Sequence, residues 1–197
     1  HRYCRGEAAI EGQADDYAFV IWGLLELYFA DFDPEWLRQA LALNRTFIEH
    51  FWDTEQGGFF FTPDTYNELP LRQKESYDGA LPSANSVAMH NLLRITMLTG
   101  DTAAEVRAHR IARAFSSRVS SDPYGHTHFA TALMLALGPS YEVVIAGQPE
   151  SADTQAMLRA LETHYIPHKV TLFKPDSETG TKIGALAPWA TPYKSLD

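Results

Sequence analysis

The chain of 197 residues has a single cysteine, Cys4. That excludes an internal disulfide and a thiolate-rich zinc site, and it fits a reducing compartment such as the cytoplasm. Basic residues are also scarce, with 16 Lys and Arg against 25 Asp and Glu and a net charge of -9. Phosphate binding needs a basic face, so nucleic acid is excluded as a main partner, while neutral or cationic small molecules stay open. No apolar run is long enough to span a bilayer, so no membrane partner is expected. The start shows no secretory signal pattern. Because the chain begins at His1 instead of Met, it is expected to be a trimmed piece of something longer. With no GxGxxG, no HExxH and no CxxC, neither a cofactor nor a metal is expected.

What is present is an alternation of helices. Asp15-Asp16 opens an apolar run from Tyr17 to Phe29 in which Glu26 is the only charge, and a helix apolar all round must be covered on several sides. Asp33-Pro34-Glu35 starts a second, amphipathic helix, with Asp33 as N-cap and Pro34 at the first position. Ser83 to Thr99 reads as another apolar helix stopped by Gly100, Asp101 to Val119 as an amphipathic one, and about Asp122 to Leu137 as a third apolar one. Buried and half-buried helices in turn are what two concentric layers produce. The fold class expected is therefore mainly α: residues 1–139 form a partial α/α toroid, with a plain bundle or a solenoid as alternatives. Tyr141 to Ala146, Ala152 to Thr163 and His168 to Phe173 read as strand, helix and strand, a βαβ appendage over residues 140–175. Residues 176–197 read as an irregular tail, and residues 1–14 as loop.

The segment Arg72 to Ser86 crowds cations, carboxylates, hydroxyls and an amide at the end of the one long connection, Trp52 to Leu81. Connections of that length are often functional, and Phe59 to Thr62 within it suggests a short hairpin strand. Asp16 and Asp78 are candidate acid and base for a sugar, with Glu75 in reserve. Helix capping is the alternative for Asp15-Asp16, and an Asx-turn for Asp78. His90 falls on one stripe with Ser83, Ser86 and Arg94 and is the candidate proton carrier, unless that stripe points outward. His126 and His128, two apart, point in different directions on a helix. Tyr17, Arg72, Lys74, Glu75, Tyr77, Ser83 and Asn85 are the candidate substrate-binding residues. Arg107, Arg110 and Arg113 read as a solvated stripe.

The strings Gly12-Gln13-Ala14-Asp15-Asp16-Tyr17-Ala18-Phe19, Phe51-Trp52-Asp53 with Gly57-Gly58-Phe59-Phe60, Arg72-Gln73-Lys74-Glu75 and Tyr77-Asp78-Gly79-Ala80-Leu81-Pro82-Ser83-Ala84-Asn85-Ser86-Val87-Ala88 resemble a family of two-part proteins. These join a thioredoxin-like domain to a helical toroid, and some carry the label spermatogenesis-associated. The resemblance runs in order from about Gly12 to Val170-Thr171-Leu172 and departs at Ala84, where the family usually has Gly, and at Asp15, where it often has Glu. It implies a six-hairpin glycosidase-like toroid, similar to that of N-acylglucosamine 2-epimerases, of which this chain holds the C-terminal portion. A cysteine-bearing continuation typical of the family is absent.

The function expected is a carbohydrate-binding, N-acylglucosamine 2-epimerase-like or glycosidase-like segment, with catalysis left open. The alternative is a non-catalytic platform for a thioredoxin-like domain. The partners expected are a sugar or sugar-derived molecule, that thioredoxin-like domain, and a second copy through the open helical edge.

Overall fold

The computed structural model describes residues 2–9, 11–66 and 71–195. Among them lie seven α-helices, and each of the first four begins where a capping signal stands. Helix α1 (Ala14–Asp31) starts on a capping box in which the Gln13 side chain meets the amide of Asp16, while the Asp16 carboxylate accepts from the Gln13 amide at 2.8 Å. Helix α2 (Pro34–Phe51) is capped by Asp33, which accepts from the Glu35 amide. Ser83 caps α3 (Ala84–Thr99), which ends at Gly100 in the left-handed conformation, and Asp101 caps α4 (Thr102–Ser121).

Helix α5 (Thr127–Leu137) starts later than the sequence suggests. Pro123 and Gly125 turn the chain through a 3-10 turn first, and no side chain of α5's own N-cap residue, His126, bonds to the first turn.

Helix α3 is the hub. It packs against α1 on one side, α5 on another and α4 behind, while α2 lies behind α1. Twelve of its sixteen residues are buried, which explains why apolar side chains encircle it. A polar tie joins it to α1, where the buried Asn91 amide donates to the Ala18 carbonyl at 2.8 Å. Helices α1, α3 and α5 thus form one row, with α2 packed behind α1 and α4 behind α3.

The long connection is largely irregular but anchored, its residues 67–70 lying outside the described set. The strand expected at Phe59–Thr62 is reduced to one bridge between Trp52 and Phe59. Phe59 goes to the core instead, stacked on Phe47 at 4.0 Å between ring centres. Gly57 and Gly58 adopt φ near +80° and +85° and press against Arg110 and Phe115 of α4, so a side chain at either position would be both strained and crowded.

Two expectations about the ends are corrected. The first residues form a short exposed hairpin, β1 (Arg2–Cys4) with β2 (Glu7–Ala9), turned by Arg5-Gly6 and too short to show periodicity. The described part of the tail is not irregular: α7 (Glu178–Leu186) packs on α2 and on the sheet, and Trp189 donates to the Leu98 carbonyl at 3.0 Å. Two glycines lower the helix propensity of that stretch, and burial of Ile183 and Ala187 overrides it. Between these ends, β3 (Tyr141–Gly147), α6 (Ala152–Thr163) and β4 (Lys169–Pro175) form the expected βαβ unit, with the strands parallel in the register Tyr141 to Lys169.

Candidate functional site

Most of the polar residues from Arg72 to Ser86 bond within the protein. Arg72 donates to the carbonyls of Thr62 and His50 and lies over the Phe60 ring at 4.3 Å. Lys74 binds Asp53 at 2.6 Å and the Gly57 carbonyl at 2.9 Å in a largely buried ion pair. Asn85 bonds both the N–H and the C=O of Phe59, as a strand neighbour would, and reaches the Glu75 carbonyl. Ser83 shares a hydrogen bond with Ser86 beneath the first turn of α3. Buried Asp78 accepts from the amides of Ser83, His128 and Phe129, so it caps α5 from a distant loop. Tyr17 turns toward α2 and packs on Phe47 and Phe51. Asp16 belongs to the capping box. The structure therefore gives both Asp16 and Asp78 helix-capping work.

Glu75 and Tyr77 remain exposed. Tyr77 lies over Gly125, where a Cβ would stand 2.6 Å from its ring, and beside His126. His126 itself is buried and contacts the Ser76 hydroxyl.

The row α1, α3, α5 brings together a different group. On α1, Asp15, Trp22 and Glu26 lie along one flank at spacings of seven and four. His90 and Arg94 answer from α3, and His128 from α5. The His90 and His128 rings meet edge to face at 5.4 Å, and the Trp22 indole lies 5.0 Å from His128 and 6.4 Å from His90. Glu26 holds the indole N–H at 2.8 Å and Arg94 at 2.8 Å, and the Arg94 guanidinium covers Phe29 at 4.9 Å. His128 Nε2 is buried without a hydrogen-bond partner.

The electrostatics favour neutral imidazoles. Burial, with Arg94 and His128 adding to it, pulls the His90 pKa down to about 3. Burial also lowers His128, against the pull of Asp78. Asp15 is raised, first by burial and then by Glu75 across from it, while the Ala84 amide at the start of α3 works the other way. The face thus carries two neutral nitrogen bases and a carboxyl that holds its proton to higher pH than usual.

Sequence reasoning missed Asp15, Trp22 and His128. For Asp15 and Trp22 the signal was available, since both share the flank of Glu26 at helical spacing. For His128 it was not, because its position depends on the cap from Asp78. Among the described residues no group of three His, Cys, Asp or Glu is placed to hold a metal ion, and no helix is long and apolar enough to cross a membrane.

Helix row and βαβ unit together define a mainly helical protein with a small parallel-strand appendage. No family model matches the chain. It is homologous to the C-terminal part of spermatogenesis-associated protein 20. The rat protein is 40% identical over 187 residues, covering 94% of this chain and 24% of the relative. The human one is 36% identical over the same span and shares. An uncharacterised protein of Caenorhabditis elegans is 32% identical over 147 residues, 75% of this chain and 20% of that protein. The chain thus spans about a quarter of the length of the curated relatives it matches.

Proposed function

We propose that the flank shared by α1, α3 and α5 is one wall of a carbohydrate-binding cleft in an α/α toroid of six-hairpin, N-acylglucosamine 2-epimerase-like or glycosidase-like kind. Residues outside this chain supply the rest of the ring. The observation that carries this reading is the Trp22 indole, fixed by Glu26 and set against the neutral His90 and His128 rings. An aromatic face suits the apolar side of a sugar ring, and unprotonated imidazoles beside it accept hydrogen bonds from hydroxyls. If the cleft is catalytic, its chemistry is proton transfer from the Asp15 carboxyl, with His128 as the acceptor; His90, whose pKa of about 3 makes it too weak a base near neutral pH, serves as a hydrogen-bond acceptor instead of the proton carrier the sequence suggests. Asp15 takes the place that the sequence alone assigns to Asp16, and Glu75 and Tyr77 lie at the rim. A screen of neutral and amino sugars by thermal shift, on this chain and on a longer homologue, tests the reading. Stabilisation that Trp22→Ala removes supports it, and no shift in the longer protein contradicts it.

The second reading, a docking platform for a thioredoxin-like domain, draws on the outer side of α1. There Val20, Gly23, Leu27 and Ala30 form an exposed apolar stripe at spacings of three and four. Binding of such a domain that survives Trp22→Ala but not Leu27→Asp favours this reading. In either case a reducing cytoplasm suits a chain with one exposed cysteine.

A further inference from the structure

The flank of α1, α3 and α5 is built in layers. Trp22, His90 and His128 each stand ten residues before the residue that ends their helix, Phe32 for α1, Gly100 for α3 and Gly138 for α5. Helices α1 and α3 even end alike, on a left-handed residue followed by an Asp that caps the next helix. The three rings are therefore equivalent positions on the three helices of one row, which is why they meet at one level. One turn further along the same face come Glu26, Arg94 and Ala132, each four residues on. In this second layer Ala132 is small and buried, and Glu26 and Arg94 form an ion pair at 2.8 Å. The pair has a buried end and an exposed one, since the Arg94 side chain is 11% exposed and that of Glu26 57%. An exposed glutamate by itself samples several rotamers. Here one oxygen, Oε1, takes both the Trp22 indole N–H and the Arg94 guanidinium, each at 2.8 Å, while the guanidinium lies over the Phe29 ring at 4.9 Å. Order thus passes from the buried arginine through the carboxylate to the indole.

We propose that Arg94 is a positioning residue of the candidate cleft, which through Glu26 holds the Trp22 indole at its angle to the His90 and His128 rings. The inference rests on the reading of this flank as a sugar-binding wall, and it adds what keeps the wall in shape. Because Glu26 occupies the one N–H of the indole, Trp22 offers a ligand its ring and not its donor. Hydrogen bonds to hydroxyls then fall to the two imidazoles. A ring already held at one angle loses little freedom when a sugar stacks on it, whereas a loose one must be ordered at that moment. The charge of Arg94 acts in the same direction on the neighbouring ring. Together with His128 and His168 it works against protonation of His90, which keeps that imidazole an acceptor. Lysine at this position would keep a cation for Glu26 but neither the planar fork nor the flat contact with Phe29. An uncharged side chain of similar length would leave Glu26 free to turn to solvent, and the indole free with it.

NMR of the 197-residue chain with isotope-labelled tryptophan tests the hold, the Trp22 indole N–H being assigned by its loss in Trp22→Phe. In Arg94→Met that N–H should exchange with water about tenfold faster and move toward the position of an exposed indole. Arg94→Lys should fall between the two. In a longer homologue that includes this chain, Arg94→Met should weaken sugar binding about tenfold, with circular dichroism showing the helices intact. An indole N–H that Arg94→Met leaves unchanged overturns the proposal, and so does a loosened indole with undiminished sugar affinity. Where Arg94→Met does not fold, Arg94→Lys carries both readouts with the same outcomes in smaller measure. A longer homologue that binds no sugar, with the indole loosened as expected, supports the hold of Arg94 on Trp22 and contradicts the cleft reading alone.

Discussion

The Asp78 carboxylate accepts the backbone N–H of His128 at 2.8 Å across fifty positions of sequence. Through this bond the long connection sets where α5 begins, and with it the place of the His128 ring beside His90. The polar segment therefore does serve the candidate site, although by holding its elements in place.

Replacing Asp78 should be costly. Asp78→Ala leaves three amides, the buried ones of Ser83 and Phe129 and the half-buried one of His128, without their acceptor. The expected loss is about 2 to 4 kcal/mol, combining a lost cap with unsatisfied buried donors. Urea denaturation measures it. A change below about 0.5 kcal/mol would place Asp78 among ordinary surface residues.

The ion pair between Lys74 and Asp53 should anchor the connection. Burial alone would raise the Asp53 pKa, but Lys74 and the amides of Gln56 and Glu55 outweigh it and hold the group below its ordinary value. Asp53 is therefore expected to support folding at neutral pH and to lose that support in acid as it protonates. Lys74→Met should cost about 3 kcal/mol by leaving a buried carboxylate unpaired, and Lys74→Met with Asp53→Asn should recover part of it. Limited proteolysis between residues 54 and 82 should speed up in the single variant.

His90 predicts a pH dependence of opposite origin. Its folded pKa of about 3 lies below the unfolded value near 6.5, so between those values the unfolded chain binds a proton that the folded chain does not. Stability should fall as pH drops through this window, by at most about 1.4 kcal/mol per pH unit for one group. His128, lowered for the same reason, adds to the slope. In His90→Asn the slope should be shallower, as denaturation at several pH values will show. An NMR titration in which His90 gains its proton near pH 6.5 would contradict the assignment.

Gly125 should tolerate no side chain. A Cβ there would meet the Asp122 carboxylate at 2.5 Å and the Tyr77 ring at 2.6 Å. Gly125→Ala should therefore displace Tyr77 and lower the melting temperature, while Gly23→Ala, where nothing lies within 4 Å, should not.

The helices were legible because their signals are local. Asp33-Pro34, Ser83, Gly100 and Asp101 each mark an end through bonds within a few residues, and the central row of α1, α3 and α5 followed from which helices are apolar all round. The βαβ unit was legible for the same reason. Structure that depends on distant contacts was hidden. Residues 178–186 have weak helix propensity and are held by packing on α2 and β4. The segment from Arg72 to Ser86 looked like a ligand site because buried polar residues that tie a loop down are of the same types as those that grip a ligand. Only their partners distinguish the two cases, and Phe59, Thr62 and Gly57 lie too far along the chain to be paired with them by eye. Asp15 and Asp16 show the finest limit, since a rotation of one residue about the α1 axis decides which of them faces α3 and which caps the helix.

The most direct test of the proposed cleft is an NMR titration of a longer homologue that includes this chain, following the imidazoles of His90 and His128 and the Trp22 indole N–H as sugars are added. The account predicts that a ligand sugar shifts all three together, saturably, and that Trp22→Ala abolishes the shifts at the two histidines. Sugar binding that leaves these three signals unmoved would contradict it.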